Sequence, residues 1–223
     1  MKCYDMKYGA IRGKEVIDSK GEKFGEIMDG IFDISENMID LKYFVVGGGL
    51  VEEFLESIKA KPDIDPILKV EDIENIDDKV HLKVQCEALK KTLDPGVMTE
   101  NDIKFSALSD IKVVDSDGFK IGFIIDIWYD CDGQMWLVLG GGFFEELLER
   151  LHAQPDIDLL VPPGFIKSVD RKSIKLNRTR FQLESTCEDE YKKLQRQLEG
   201  PKPHDDARYA QLRLGSAHSR GLV

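Results

Sequence analysis

The chain is written twice, and that repetition limits what it can fold into more than any other feature. The block VIDSKGEKFGEIMDGIFD at 16–33 returns as VVDSDGFKIGFIIDIWYD at 113–130. Asp18, Ser19, Gly21, Gly25, Asp29 and Asp33 thus recur 97 positions on as Asp115, Ser116, Gly118, Gly122, Asp126 and Asp130. The block GGGLVEEFLESIKAKPDID at 47–65 returns as GGGFFEELLERLHAQPDID at 140–158, 93 positions on, so four residues are missing from the second copy between the blocks. A looser third block, EDIENIDDKVHL at 71–82, matches GFIKSVDRKSIKL at 164–176 with one residue inserted. A unit of about 80 residues has the size of a small domain rather than of a stacking repeat.

Punctuation and periodicity give the structure expected inside each copy. Asp18-Ser19-Lys20-Gly21 and Asp115-Ser116-Asp117-Gly118 read as turns between β-branched stretches, with glycine able to take a positive φ. Gly25, Gly47, Gly48 and Gly49 in the first copy, and Gly122, Gly140, Gly141 and Gly142 in the second, read as further turn positions. Ile39, Leu41, Tyr43 and Val45 alternate as a half-buried strand does, and so do Val80, Leu82 and Val84. Leu50, Val51, Phe54, Leu55 and Ile58 fall at helical spacing before Pro62, and Phe143, Phe144, Leu147, Leu148 and Leu151 repeat this before Pro155. The expectation is a mainly β chain with short helices. Its parts are a first barrel over 8–92, a linker over 93–104 that holds Pro95 and Gly96, a second barrel over 105–187, and a short helix with a disordered tail over 188–223.

The opening pattern V-x-D-S-x-G-x-x-x-G-x-I-x-D, present at 16–29 and again at 113–126, resembles the PRC-barrel family, whose module also occurs in the photosynthetic reaction-centre H subunit and in a ribosome-maturation factor. The resemblance covers roughly 8–92 and 105–180. The GGG-helix-PDID extension looks like the archaeal branch of the family, some members of which are adaptors around the division ring and its membrane anchor. The resemblance implies two consecutive small PRC-type β-barrels and a non-enzymatic adaptor in the assembly or regulation of archaeal cell division. Division-ring or membrane-anchor proteins are the implied partners, and self-association of the barrels stays open. The runner-up is a ribosome-assembly factor that binds a ribosomal protein; a barrel that holds a small ligand is the third reading, disfavoured because barrels this short fill with side chains.

Charge and composition bear on these classes. A formal net charge of −11 sets the chain against direct contact with nucleic acid. No apolar run approaches a membrane span and the first twenty residues carry no secretory core, so a cytoplasmic protein is expected. Cys3, Cys86, Cys131 and Cys187 are far apart, without zinc-ligand spacing. The triple glycines precede Glu52-Glu53 and Glu145-Glu146, which would repel a phosphate, and no Lys-Ser/Thr follows. Asp63 with Asp65 and Asp156 with Asp158 are too few oxygens for calcium. His81, His152, His204 and His218 lie apart, and no nucleophile elbow occurs. No catalytic, cofactor or metal site is expected.

Partner contact is expected where the second copy has gained aromatics: Trp128 for Ile31, Trp136 for Tyr43, and Phe143-Phe144 for Leu50-Val51. The tail adds Tyr209, Leu212 and Leu214 as a short linear motif in a stretch otherwise too polar to fold alone.

Overall fold

In the computed structural model the chain divides into two compact units, Met1–Asp110 with Ile127–Met135, and Ile111–Asp126 with Trp136–Val223. The structure describes residues 5–35, 37–48, 66–86, 89, 93, 97–130, 133–150, 157–199 and 212–214. The helix expected after Gly49, the Pro-Asp-x-Asp element at 62–65, and Tyr209 lie outside them.

The first copy supplies β1 (Met6–Lys7), β2 (Glu15–Ile17), β3 (Lys23–Ser35), β4 (Met38–Gly47), β5 (Ile67–Lys69), β6 (Ile73–Ile76) and β7 (Val80–Leu82). They are followed by β8 (Asp102–Lys104) and the single turn α1 (Phe105–Leu108). The second supplies β9 (Lys112–Val114), β10 (Lys120–Tyr129), β11 (Met135–Gly140), α2 (Phe143–Arg150), β12 (Ile157–Val161), β13 (Ile166–Val169), β14 (Ser173–Leu176), α3 (Arg180–Glu199) and β15 (Leu212–Leu214).

The two copies share one strand order: β5-β4-β3-β2-β7-β6 in the first and β12-β11-β10-β9-β14-β13 in the second. Register agrees as well as order. Val16 faces Val80 across a parallel ladder where Val113 faces Ile174, and Phe44 faces Leu68 where Leu137 faces Val161. One apolar pattern therefore builds one sheet twice, with Val16, Ile27, Phe44, Val80 and Leu82 buried in the first copy and Val113, Ile124, Leu137, Ile174 and Leu176 in the second. Long β3 departs from strict alternation because bulges between Ile27 and Asp29 and between Ile31 and Phe32 turn adjacent side chains inward.

The structure corrects the expected barrels: neither sheet closes. Closure needs a staggered ladder between the first and last strands. Here the path of the first sheet ends in β5 and β6, of three and four residues, and that of the second in β13 and β15. A second correction concerns glycine. Gly25 and Gly122 lie inside β3 and β10, not in turns, each at a register shift. A β-carbon on Gly122 would meet the Gly140 carbonyl oxygen at 2.3 Å, so close backbone approach, not turn geometry, fixes that residue.

The stretch expected as a linker is partly strand. β8 pairs with β3 through Ile31↔Lys104, Phe32↔Ile103 and Asp33↔Asp102. At the same offset of 97, Asp5-Met6-Lys7-Tyr8 matches Asp102-Ile103-Lys104-Phe105, and Met6↔Tyr129 with Lys7↔Trp128 is the equivalent ladder. Each copy's opening strand thus sits on the long strand of the other copy, and both ladders fall within the first unit. The Tyr8 and Phe105 rings lie 4.5 Å apart, beside Phe32. Asp102, fully buried, accepts from the Lys42 ammonium at 2.9 Å and from the Thr99 N–H at 2.8 Å. Burial opposes its ionisation, yet Lys42 and Thr99 outweigh that and hold the carboxyl below its ordinary range.

The C-terminal helix begins at Arg180, eight residues before the expected boundary, and Leu212–Leu214 pairs with β12 as an edge strand rather than remaining unstructured.

Candidate partner-binding surface

The surface begins at the duplicated turn. Asp18 and Asp115 are buried carboxylates that each gather three backbone N–H groups, two local and one distant. Asp18 accepts from Lys20 at 2.8 Å, Glu22 at 3.0 Å and Cys86 at 3.2 Å. Asp115 accepts from Asp117 at 2.9 Å, Phe119 at 2.7 Å and Arg180 at 2.7 Å. Gly21 (φ 85°) and Gly118 (φ 90°) close the two turns. Burial disfavours the Asp18 anion, but the amides of Glu22, Cys86 and Lys20 outweigh it and keep its carboxyl below the ordinary range. One device thus pins the segment after β7 in the first copy and the segment after β14 in the second.

The pinned residues differ in kind. Where the first copy has Val84, Cys86 and Glu22, the second has Arg178, Arg180 and Phe119. Arg178 lies over the Phe165 ring at 4.6 Å, and Arg180 lies over Phe119 at 4.4 Å and Phe181 at 4.9 Å. Phe143 of α2 meets Phe119 edge-on at 6.3 Å. Such stacks hold guanidinium groups in place; that of Arg178 is fixed further by Nη1 donating to the Asn177 carbonyl and Oδ1 at 3.3 and 3.2 Å. Phe181 is 67 % exposed and Phe119 45 %, which is unusual for rings of this size. A groove of about 430 Å³ runs beside Phe181, lined by Phe165, Arg178, Gln182 and Leu183 among others.

The cations continue onto the strands. Between 164 and 180 stand Lys167, Arg171, Lys172, Lys175, Arg178 and Arg180 against Asp170 alone. Asp170 is spent on its own turn, accepting from the Lys172 and Ser173 amides at 2.6 and 2.8 Å, which hold its carboxyl low. The matched strip 71–86 carries Glu71, Asp72, Glu74, Asp77 and Asp78 against Lys79 and Lys83. Its neighbour Glu15, the counterpart of Lys112, bridges Lys79 at 2.7 Å and Lys23 at 2.9 Å, which lowers its carboxyl to about 2. His81, the counterpart of Lys175, lies 3.0 Å from Asp77. The first copy's face is acidic and internally paired; among the described residues Lys112, Lys167, Lys172 and Lys175 make no ion pair.

The expected contact residues are not gathered here. Trp128 and Phe144 are buried, Trp136 is half-buried on β11, and Leu212 and Leu214 belong to β15. Phe143 alone joins the surface, as its buried floor. Gly48, Gly141 and Gly142 take positive φ of 106°, 82° and 57° after β4 and β11, as strand exits do, whereas Gly47 and Gly140 are the last strand residues and Gly49 lies outside the described residues. Sequence reading missed Phe119, Phe165, Arg178, Arg180 and Phe181. Two signals were there to be read: the charge inversion between 71–86 and 164–180, and the capping box Thr179-x-x-Gln182. In that box the Gln182 N–H donates to Thr179 Oγ1 at 3.2 Å and the Thr179 N–H to Gln182 Oε1 at 2.9 Å.

Burial pushes the thiols of Cys86 and Cys187 up to about 12, so neither supplies a thiolate near neutral pH. No group of three or more His, Cys, Asp and Glu that could hold a metal ion occurs among the described residues. No helix among them is long and apolar enough to cross a membrane.

Compared with known proteins, residues 5–85 match the PRC-barrel domain family. No curated protein matches the chain.

Proposed function

We propose that this chain is a non-enzymatic adaptor working by protein–protein contact, with the cationic, aromatic surface of its second unit as the contact surface. The observation that carries the reading is the divergence of one exterior strip. The two copies keep the same strand order, register and buried-aspartate turns, while one exterior strip changes from acidic to basic and acquires exposed rings. A framework kept and a face rewritten is what an acquired recognition role requires.

On this reading the second copy is a further PRC-type module, and the GGG-helix-PDID extension, similar to the archaeal branch, supports a place in the assembly or regulation of archaeal cell division in the cytoplasm. The test is affinity purification of the tagged full-length protein from its native cells. Division-ring or membrane-anchor proteins are expected in the eluate; ribosomal proteins in their place would replace the division role by ribosome assembly, and recovery of no protein partner would contradict the adaptor itself.

A further inference from the structure

We propose that the groove beside α3 takes a short acidic peptide segment of a partner protein, anchored by one large apolar side chain. This rests on the adaptor reading and names the chemistry of its partner. The groove is an open depression of about 430 Å³, a shape for a segment lying along the surface rather than for an enclosed small molecule. Its lining is mixed: the Phe165 and Phe181 rings with Leu183 supply the apolar part, Gln182, Ser185 and Thr186 neutral polar groups, and Arg178 stands among them with its guanidinium over Phe165. Much of the ordering cost of that arginine is met before any ligand arrives. Carboxylates are the groups an arginine fork binds best in a protein, and Lys167 on β13, Lys175 on β14 and Lys172 in the turn between them extend the same sign.

Cations interleaved with rings also suit single-stranded nucleic acid, and a basic face suits an anionic bilayer. The limited extent of the patch decides between these. The chain as a whole carries −11 despite the patch; on α3, Glu184 is held by Arg150, and the helix turns acidic beyond the groove with Glu188, Asp189 and Glu190. A long polyanion that entered the groove would run off the patch onto like charge, whereas a segment of a few acidic residues ends within it.

The test titrates the full-length protein into fluorescein-labelled decapeptides, glutamate-rich around a central phenylalanine, leucine or alanine, and reads anisotropy. Saturable binding is expected for the phenylalanine or leucine peptide, at least tenfold weaker for the alanine peptide, and weakening as salt is raised. Arg178→Glu and, separately, Phe181→Ala should each weaken it at least tenfold, with near-UV circular dichroism unchanged; Phe181, being two-thirds exposed, keeps the test valid if Arg178→Glu disturbs the fold. Absence of saturable binding, indifference to both variants, or tighter binding of a twenty-nucleotide single strand or of anionic vesicles would overturn the assignment. The adaptor reading falls separately: a partner retained by the Arg178→Glu protein in the cell purification would leave the adaptor standing and the groove empty of that role.

Discussion

The strip 71–86 and the strip 164–180 have the same fold and opposite sign. In the first, acids meet lysines on neighbouring strands: Glu15 bridges Lys23 and Lys79, and Asp77 lies beside His81. In the second, Lys112 and Lys175 stand where the first has Glu15 and His81, and the turn that delivers Cys86 in one copy delivers Arg180, stacked on two phenylalanines, in the other. The comparison teaches where evolution had room. Buried carboxylates, parallel ladders and close backbone approaches tie residues far apart in the chain, so a change there disturbs several partners; an outward lysine or arginine changes only the field it projects.

Perturbing the shared framework should produce the largest effects. Gly122→Ala drives a methyl into the Gly140 carbonyl, backbone that has nowhere to go, and is expected to cost about 3 kcal/mol or more in urea unfolding. Removing either turn carboxylate strands three amides at once, so Asp18→Ala and Asp115→Ala should each cost roughly 2–4 kcal/mol, and by similar amounts if the two turns are equivalent. Unequal costs would show that the copies differ below the surface as well as on it.

Acid should act on the first unit through Asp18 and Asp102. Both carboxyls lie below the unfolded value of 3.8, so their contribution is present above that value and is lost as pH falls through the lower folded one. The thermal midpoint should therefore hold from about pH 7 to 5 as far as these groups decide it, and drop below about pH 4. Asp102→Asn should start lower and fall less steeply over that interval, and an unchanged slope would remove Asp102 from the account.

Smaller effects sharpen the comparison further. Gly21→Ala and Gly118→Ala meet open space but must adopt a left-handed backbone, so each should cost about 1 kcal/mol, alike in both copies. Reversing single outward charges, Glu15→Lys or Lys175→Glu, should shift stability by no more than about 0.5 kcal/mol, since exposed ion pairs contribute little.

Much of the framework was legible because its signals are local. Asp-Ser-x-Gly announces a turn, and an offset shared by six residues announces a second copy. What escaped was carried by distance. The third amide on Asp18 comes from Cys86 and that on Asp115 from Arg180, and nothing near either aspartate points there. β8 read as linker because its role is set by Lys42 and by the ladder to β3, not by its own composition. Closed barrels were expected because closure removes the edges of short twisted strands and because the family resemblance carries them, while end strands of three and four residues leave these sheets open. At the candidate surface, added tryptophans drew the reading toward Trp128, which the core absorbed, whereas the arginines that mark the face lay in a strip whose sign shows only when the copies are set side by side.

One purification, run in parallel on three full-length proteins, tests most directly whether contact belongs to the second copy: the unaltered chain, the Lys175→Glu/Arg178→Glu protein, and the Glu15→Lys protein altered at the counterpart acidic face. The account predicts that the partner recovered with the unaltered chain is lost with the second and kept with the third. Loss with Glu15→Lys and retention with Lys175→Glu/Arg178→Glu would place the contact on the first copy and contradict it.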